Sequence, residues 1–248
     1  MIDTADIRKS ERAASSEAKG YSLHSLVTPP TPYHQEEGIT IYCGDCRQIV
    51  PTLGKYDLLL TDPPYGINVD ATMAKQGGTQ YGKAAAPKRH YAATEWDKAP
   101  PPRWLLDMLC DAAKWQILWG GNYYAGLPAA RGWLVWDKEN GDNNFADCEL
   151  AWTNLDIAVR KKAHMWNGML RKNGEDREHP TQKPLDVMQW CLGLVPEAKT
   201  VLDPYMGSGT TGIACIRTKR NFIGVEKDKR HFDNACERIR RELEEALL

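Results

Sequence analysis

Short apolar segments of strand length alternate with segments of helical character along most of the chain. The predicted strands are ITIY (39–42), KYDLLLTD (55–62), WQILWGG (115–121), GWLVWDK (132–138), CELAWTN (148–154), KTVLDPY (199–205) and NFIGVEKD (221–228). Helices are predicted over about 104–114, 185–194, 209–218 and 230–247. This alternation predicts an α/β fold, in which a mostly parallel, twisted sheet is covered by helices on both faces.

Two stretches depart from the alternation. Residues 1–37 are rich in Ser, Ala, Glu and Lys and lack a sustained period, which predicts a flexible N-terminal tail. Residues 66–95 are rich in Gly, Ala and Lys and are long for a loop inside a domain, so we expect a mobile, functional loop there. The remaining residues, 38–248, are predicted to form one domain around this loop.

Composition places few limits on partners. The chain has 248 residues with 32 Lys+Arg against 33 Asp+Glu, so a nucleic-acid partner would require local concentration of positive charge. A hydrophobic share of 42% excludes collagen-like, mucin-like and wholly disordered classes. No secretory h-region follows Met1, and no run approaches the roughly 18 apolar residues of a membrane span. We therefore expect a cytoplasmic protein that binds no membrane. Cys43 and Cys46 lack further ligands at zinc spacing, so no metal site is expected.

A glycine-rich turn lies between the sixth predicted strand and the helix after it. In VLDPYMGSGTTG (201–212), Gly207, Gly209 and Gly212 fit the pattern G-x-G-x-x-G, and Glu226 ends the next predicted strand. Such turns offer free helix N–H groups, and such a carboxylate can accept from ribose hydroxyls. Because only 36 residues follow Gly212, the other strands of a nucleotide-binding sheet must precede the turn. The alternative is an ordinary tight strand–helix turn.

A second motif, Asp62-Pro63-Pro64-Tyr65, directly follows the predicted buried strand. The prolines carry no N–H and an ionised Asp62 only accepts, so the turn presents a rigid cluster of acceptors beside an aromatic ring. This arrangement suits the exocyclic amine of a planar base: two acceptors would expose the nitrogen lone pair, and Tyr65 would stack on the ring. A base reaches such a pocket only by leaving the helical stack. The alternative is a proline-stiffened turn.

Together, residues 62–65, HPTQKP (179–184), LDPYMGSGTT (202–211) and FIGVEKD (222–228) resemble the β-class amino-methyltransferases of DNA. In that class the catalytic tetrapeptide precedes the S-adenosylmethionine motif, and the resemblance covers about residues 39–240. It implies a Rossmann-like methyltransferase fold with a circularly permuted motif order. It also implies transfer of a methyl group from S-adenosylmethionine to adenine N6 in double-stranded DNA by base flipping, as in restriction–modification.

The resemblance also assigns roles to matching residues. Asp62 and the Pro63 carbonyl would bind the target amine within the catalytic tetrapeptide that Pro64 and Tyr65 complete, and Tyr65 would stack on the flipped base. The cofactor would be held by Asp45, Thr181, Lys183, Asp203, Gly207, Ser208, Gly209, Thr210 and Glu226. Within that set Glu226 would bind the ribose hydroxyls, and Asp45 would lie near the adenine amine.

One departure from the family leaves several alternatives open. The target-recognition region is short, so the basic segment 155–178 is predicted to face DNA. Asp at the first tetrapeptide position is commoner in adenine enzymes and Ser in cytosine-N4 enzymes, so cytosine N4 is the main alternative. Others are an RNA or protein-amide methyltransferase, an NAD-dependent oxidoreductase based on the glycine pattern alone, and a binding module without catalysis. Family members are often dimers, which makes a homodimer compatible with the resemblance.

Overall fold

The computed structural model describes residues 31–36, 38–67, 97–140, 146–167, 170–171 and 182–246. Its strands are β1 (His34–Glu36), β2 (Ile39–Cys43), β3 (Tyr56–Thr61), β4 (Ala113–Trp119), β5 (Trp133–Asp137), β6 (Cys148–Thr153), β7 (Arg160–Ala163), β8 (Trp166–Asn167), β9 (Leu170–Arg171), β10 (Thr200–Asp203) and β11 (Asn221–Glu226). Its helices are α1 (Cys46–Ile49), α2 (Arg103–Asp111), α3 (Leu185–Gly193), α4 (Thr210–Arg217) and α5 (Lys229–Ala246). Two 3₁₀ turns cover Val50–Thr52 and Gly121–Tyr123.

Nine of these strands form one sheet in the order β1-β2-β11-β10-β3-β4-β6-β5-β7. Five pairings are parallel: β2–β11, β11–β10, β10–β3, β3–β4 and β5–β7. The pairings of β1 with β2 and of β6 with β4 and β5 are antiparallel. From β3 the chain continues through α2 to β4 on one side. From β10 it continues through α4 to β11 on the other. Connections that diverge from two adjacent parallel strands leave a crevice at their carboxyl ends, where ligands bind in such sheets.

Apolar side chains of the central strands cover both faces of the sheet. Successive side chains of a strand point to opposite faces, so Leu58 and Leu60 pack in the cluster that contains α3, α4 and α5. Leu59 lies between them in the chain and packs in the other cluster, with α1 and α2. All three leucines are fully buried. The helices therefore cover both faces, as the sequence predicted.

The predicted strands and helices are all present, with ends within about three residues of the predicted ones. The predicted boundary of the N-terminal tail is wrong at its C-terminal end, because His34–Glu36 form β1 and pair with Ile39–Ile41 of β2 across Gly38. These three residues are polar and carry no apolar pattern, so nothing in their sequence indicated a strand. The ring of Tyr33 also packs edge-on against Phe232, with ring centroids 4.9 Å apart.

Several predicted segments fall largely outside the described residues. Residues 1–30 of the predicted tail and 68–95 of the predicted loop lie outside them. The predicted DNA-facing segment 155–178 is described for residues 155–167 and 170–171, where β7 lies beside β5 at the edge of the sheet. None of the helices within the described ranges combines the length and apolar composition that a membrane-spanning segment requires.

Candidate active site

A cavity of about 710 Å³ opens at the carboxyl ends of the central parallel strands. Its lining extends from Asp45 and Glu226, through the glycine turn at Gly207, to Asp62 and Lys183. These residues follow or end β2, β11, β10 and β3, or precede α3. A pocket of this size is in the range that holds a nucleoside-sized small molecule. The two motifs of the sequence therefore line one continuous cavity.

The glycine turn gives this cavity its backbone wall. Gly207 has φ +50° and Gly209 has φ +78°, which is a left-handed conformation that only glycine adopts readily. A Cβ on Gly209 would also lie 3.1 Å from the Ala235 Cβ, because α5 packs closely against the turn. The buried guanidinium of Arg238, also on α5, donates to the Ser208 carbonyl. Two features thus fix the conformation of this turn: the left-handed backbone of its glycines and the hydrogen bond from the Arg238 guanidinium to the Ser208 carbonyl.

Asp203, at the end of β10, has a buried carboxyl group that accepts three hydrogen bonds. Its Oδ1 accepts from the Thr61 hydroxyl at 2.8 Å and from the Tyr205 N–H at 3.1 Å, and its Oδ2 accepts from the Thr211 hydroxyl at 2.6 Å. Burial raises the pKa of Asp203 to about 6, despite these three donors. The carboxyl connects β3, β10 and α4, and hence the two motifs.

Glu226 lies at the end of β11 and holds its carboxylate in the cavity. Its Oε2 accepts from the Gly207 N–H at 3.0 Å, and its Oε1 accepts from the Asp228 N–H at 2.7 Å. Burial raises the pKa of Glu226, and these backbone donors oppose that rise. The two carboxylate oxygens have four lone pairs against three backbone donors, the third being Lys227, so an acceptor position remains for a ligand.

Asp45 caps the N-terminus of α1 and lines the same end of the cavity. Its side chain accepts from the Arg47 N–H at 3.0 Å and pairs with the Arg47 guanidinium, and Lys227 lies 3.4 Å from Oδ2. The hydrogen bonds of Arg47 are the main reason that the pKa of Asp45 is lowered. The carboxylate is therefore ionised and available as an acceptor at neutral pH.

The tetrapeptide leaves β3 at the opposite end of the cavity. Asp62 Oδ1 accepts from the Tyr65 hydroxyl at 2.6 Å, and Oδ2 accepts from Lys183 Nζ at 2.5 Å. The Pro63 carbonyl accepts from the buried Tyr124 hydroxyl at 2.8 Å. Each of these acceptors keeps lone pairs beyond the bonds that orient it. The acceptor cluster predicted from the sequence is thus present and is held in place by its own donors.

The Tyr65 ring is fixed by close neighbours. It stacks on Tyr123 with ring centroids 4.9 Å apart and 13° between the planes. Gly120 has φ +74°, and a Cβ there would lie 2.1 Å from Tyr65 Cε1. Glycine is therefore required at position 120 for two reasons: the backbone has a positive φ, and the Tyr65 ring leaves no room for a Cβ. One face of the Tyr65 ring is covered by Tyr123, and stacking of a base on Tyr65 stays a prediction.

Lys183 joins the tetrapeptide to a carboxylate that the sequence interpretation missed. Its side chain is 7% exposed, and Nζ lies 2.9 Å from Glu149 Oε2 and 3.0 Å from the Tyr65 hydroxyl oxygen. Lys138 Nζ lies 2.6 Å from the other oxygen of Glu149. Burial raises the pKa of Glu149, but Lys183 and Lys138 outweigh burial and lower it to about 2. Burial lowers the pKa of Lys183, and the two carboxylates outweigh it in turn and raise it.

The structure brings together nearly all residues that the sequence singled out. The cavity is lined by Asp62 and Pro64 of the tetrapeptide and by the predicted cofactor residues Asp45, Lys183, Asp203, Gly207, Ser208, Thr210 and Glu226. Pro63, Tyr65 and Gly209 are next to lining residues in the chain and are not themselves in the lining. Thr181 lies outside the described residues. Lys183, which the resemblance assigned to the cofactor, makes its short contacts to Asp62, Tyr65 and Glu149 instead.

Sequence interpretation missed Glu149, Lys138 and Tyr124. Glu149 did carry a signal, since an acidic residue within the otherwise apolar strand CELAWT requires a charged partner when it is enclosed. Tyr124 lies in the segment WGGNYYAGLP after β4, where no spacing of residue types distinguishes it from the neighbouring Tyr123. Their positions at the site depend on the antiparallel pairing of β6 with β4, which no local pattern reveals.

Comparison with solved structures defines the class of fold. The structure of the M1.HpyAVI–SAM complex superposes with a TM-score of 0.51 and covers 81% of this chain and 99% of that chain at 24% identity. The likeness confirms the predicted Rossmann-like methyltransferase fold, with the tetrapeptide preceding the glycine turn in the chain.

Sequence comparisons then narrow the class. A family model described as DNA methylase, of the N6/N4 methyltransferases, matches residues 135–237. The chain is 39% identical over 83 residues to the Type II methyltransferase M2.DpnII of Streptococcus pneumoniae, covering 32% of this chain and 31% of that protein. It is 30% identical over 135 residues to the Type II methyltransferase M2.MboI of Moraxella bovis, covering 54% and 43%. The chain thus spans less than half the length of these curated relatives. The matches confirm the resemblance to the DNA amino-methyltransferases.

Proposed function

We propose that the protein is an S-adenosylmethionine-dependent DNA methyltransferase that methylates an exocyclic base amine, with adenine N6 as the target. One observation carries the proposal. A single cavity connects the glycine turn and Glu226 with the Asp62 carboxylate, which Pro63 directly follows in the chain. A group bound by the first set can therefore meet a base bound by the second. The relatives' names describe Type II methyltransferases, which supports a site-specific enzyme of a restriction–modification system.

The residues at one end of the cavity fit S-adenosylmethionine. The turn at Gly207 and Gly209 lets backbone approach a ligand, and Glu226 and Asp45 offer carboxylate acceptors for a ribose diol and an adenine amine. Ser208 and Thr210 add hydroxyl groups, 3.4 Å apart, to the turn. When bound, the cofactor supplies an electrophilic methyl group on a sulfonium sulfur.

The tetrapeptide supplies what the amine requires. Asp62 and the Pro63 carbonyl accept the two N–H groups of the amine, which turns its lone pair out of conjugation with the ring. Tyr65 Oη and Lys183 fix the Asp62 carboxylate in one orientation, and Tyr124 does the same for the Pro63 carbonyl. The enzyme therefore positions its acceptors before the base arrives, and such preorganisation lowers the barrier to transfer.

Adenine N6 is favoured over cytosine N4 because the first tetrapeptide residue is Asp62. The target must leave the duplex to reach this cavity, which supports a base-flipping mechanism on double-stranded DNA. Tyr65 offers a stacking surface for the flipped base if Tyr123 moves aside. A homodimer stays a prediction from the family resemblance.

The test is transfer of a labelled methyl group from S-adenosylmethionine to DNA, followed by mass spectrometry of the nucleosides. We expect N6-methyladenine in double-stranded DNA; N4-methylcytosine would correct the target base. Label in RNA alone, or no label in any nucleic acid while S-adenosylmethionine binds, would contradict the proposal. Asp62→Ala should reduce transfer by about 10²–10³ or more. The matched control is Asp107→Ala, which removes an exposed carboxylate on α2 outside the cavity. Calorimetry with NAD in place of S-adenosylmethionine tests the oxidoreductase alternative.

A further inference from the structure

A buried ammonium group lies against the carboxylate on which the proposed reaction depends. Lys183 Nζ is within 3.0 Å of Asp62 Oδ2, Glu149 Oε2 and the Tyr65 hydroxyl oxygen. An ammonium group has three N–H donors, so these three acceptors account for all of them. Nζ also lies 5.4 Å from the Tyr65 ring centroid and 5.6 Å from that of the buried Trp119. Lys183 is thus enclosed by groups that stabilise a positive charge.

The charges continue beyond Lys183 in an alternating row. Glu149 binds Lys183 through Oε2 and Lys138 through Oε1, and the side chains of Glu149 and Lys138 are 21% and 17% exposed. The row Asp62–Lys183–Glu149–Lys138 therefore holds two anions and two cations. Its members come from the end of β3, the segment before α3, the strand β6 and the residue after β5. Four separate parts of the fold converge on one arrangement of charge.

This row controls whether Asp62 can act as an acceptor. A protonated Asp62 would present an O–H where the amine requires a lone pair. The pKa of Asp62 is raised overall, chiefly by burial and also by the like charge of Glu149, while Lys183 and the hydrogen bond from Tyr65 lower it. The other titratable groups facing this carboxyl are Tyr65, which donates to it, and the buried Tyr124 and Asp203. Among the described residues, Lys183 is the cation in direct contact with Asp62, and it opposes the effect of burial more than the Tyr65 hydrogen bond does.

We propose that Lys183 is a positioning residue that keeps Asp62 ionised and oriented, and that Glu149 anchors the Lys183 ammonium in that position. The inference rests on the proposed function, because it assigns Asp62 the task of accepting from the target amine. A positioning role differs from a cofactor-binding role for Lys183. To bind the cofactor, the Lys183 ammonium would have to give up one of its three contacts with Asp62, Glu149 and Tyr65.

The first experiment measures the pH dependence of single-turnover methyl transfer. In Lys183→Met the acid limb should move upward by roughly 1–3 pH units, because the group that most strongly opposes the effect of burial on Asp62 is then removed. In Glu149→Gln it should move downward, because a like charge is removed while the amide oxygen of the glutamine can still accept from Lys183 and hold it beside Asp62. In Lys183→Arg, which keeps the positive charge, the acid limb should stay close to its wild-type position. The affinity for S-adenosylmethionine, measured by calorimetry, should be unchanged in all three variants.

A second readout does not depend on activity. The carboxyl titration of Asp62 can be followed by NMR in protein labelled at aspartate and assigned with Asp62→Asn. It should shift in the same two directions in the same variants. If wild-type protein transfers no methyl group, the proposed function fails, while this titration still decides the inference.

Because Lys183→Met leaves two facing carboxylates without their shared cation, a double variant guards against misfolding. Lys183→Met/Glu149→Gln removes both charges and should place the acid limb and the Asp62 titration between those of wild type and Lys183→Met. Titrations that do not move in the single or the double variants would overturn the proposal. So would a tenfold loss of S-adenosylmethionine affinity in Lys183→Met with an unmoved acid limb, which would return Lys183 to the cofactor.

Discussion

Gly120→Ala is the substitution for which the structure gives the sharpest expectation. Gly120 precedes the 3₁₀ turn Gly121–Tyr123 with φ +74°, and a Cβ there would lie 2.1 Å from Tyr65 Cε1 and 2.4 Å from Cδ1. Ordinary contact begins at 3.4 Å, so the ring must move by roughly 1 Å. It cannot do so without disturbing its stack on Tyr123 or its 2.6 Å hydrogen bond to Asp62.

Two terms set the magnitude. A non-glycine residue in a left-handed conformation costs about 1–2 kcal/mol, which should appear as a lower unfolding temperature. Displacement of a reacting group by about 1 Å costs on the order of 10²-fold in rate. We therefore expect single-turnover methyl transfer to fall about 10²-fold. The affinity for S-adenosylmethionine should not change, because Glu226 and Gly207 lie at the other end of the cavity.

The matched control is Gly193→Ala, at the last residue of α3, where a Cβ meets nothing within 4 Å. It should leave the rate unchanged and stabilise the helix slightly. In a Tyr65→Ala background, Gly120→Ala should have no further effect on rate, since the clashing ring is gone. A Gly120→Ala enzyme with the wild-type rate, or an equal rate loss in both backgrounds, would refute the reasoning.

Three further predictions concern the cofactor end of the cavity. Glu226→Ala should weaken S-adenosylmethionine binding by about 10–100-fold in calorimetry, as expected for a charged hydrogen-bonding group, and unchanged affinity would contradict its role. Because the pKa of Asp203 is raised from 3.8 to about 6, the folded protein binds the proton more tightly than the unfolded chain. The contribution of Asp203 to the free energy of unfolding should therefore rise by up to about 3 kcal/mol as pH falls from 7 to 4, so the difference in urea stability between wild type and Asp203→Asn should change by that amount over this range. Arg238→Met should raise KM for S-adenosylmethionine with little change in kcat, since Arg238 supports the turn at the Ser208 carbonyl and is remote from Asp62; a fall in kcat alone would oppose this.

Much of the fold could be predicted because its central strands are buried on both faces. Leu58, Leu59 and Leu60 of β3 form an apolar run without alternation. The reason is that Leu58 and Leu60 pack in the apolar cluster on one face of the sheet, while Leu59 packs in the cluster on the other face. Strands that lie at the edge gave no such signal. β1 and β7 consist of the polar sequences HQE and RKKA, and their pairing is decided by the neighbouring strand instead of by burial.

The candidate site was predictable only where chemistry is contiguous in the chain. The tetrapeptide and the glycine turn each place several functional groups within a few residues, so their residue types alone indicate acceptors and a ligand-binding backbone. Glu149 contacts Tyr65 from 84 residues away, and Lys183 contacts Asp62 from 121 residues away. Those contacts follow from sheet register and from the approach of α3, which one sequence does not specify.

The hydrogen bonds of Asp203 have a consequence for protein engineering. Thr61, one residue before the tetrapeptide, and Thr211, in the helix after the glycine turn, both donate to this one buried carboxyl. A chimera that takes β3 and its tetrapeptide from one relative and β10 with its turn from another would have to match all three side chains. A mismatch would leave a buried oxygen or hydroxyl without its partner. Exchange of modules between such enzymes is thus constrained to elements that carry neither this triad nor Glu149 and Lys138, such as β7 at the edge of the sheet.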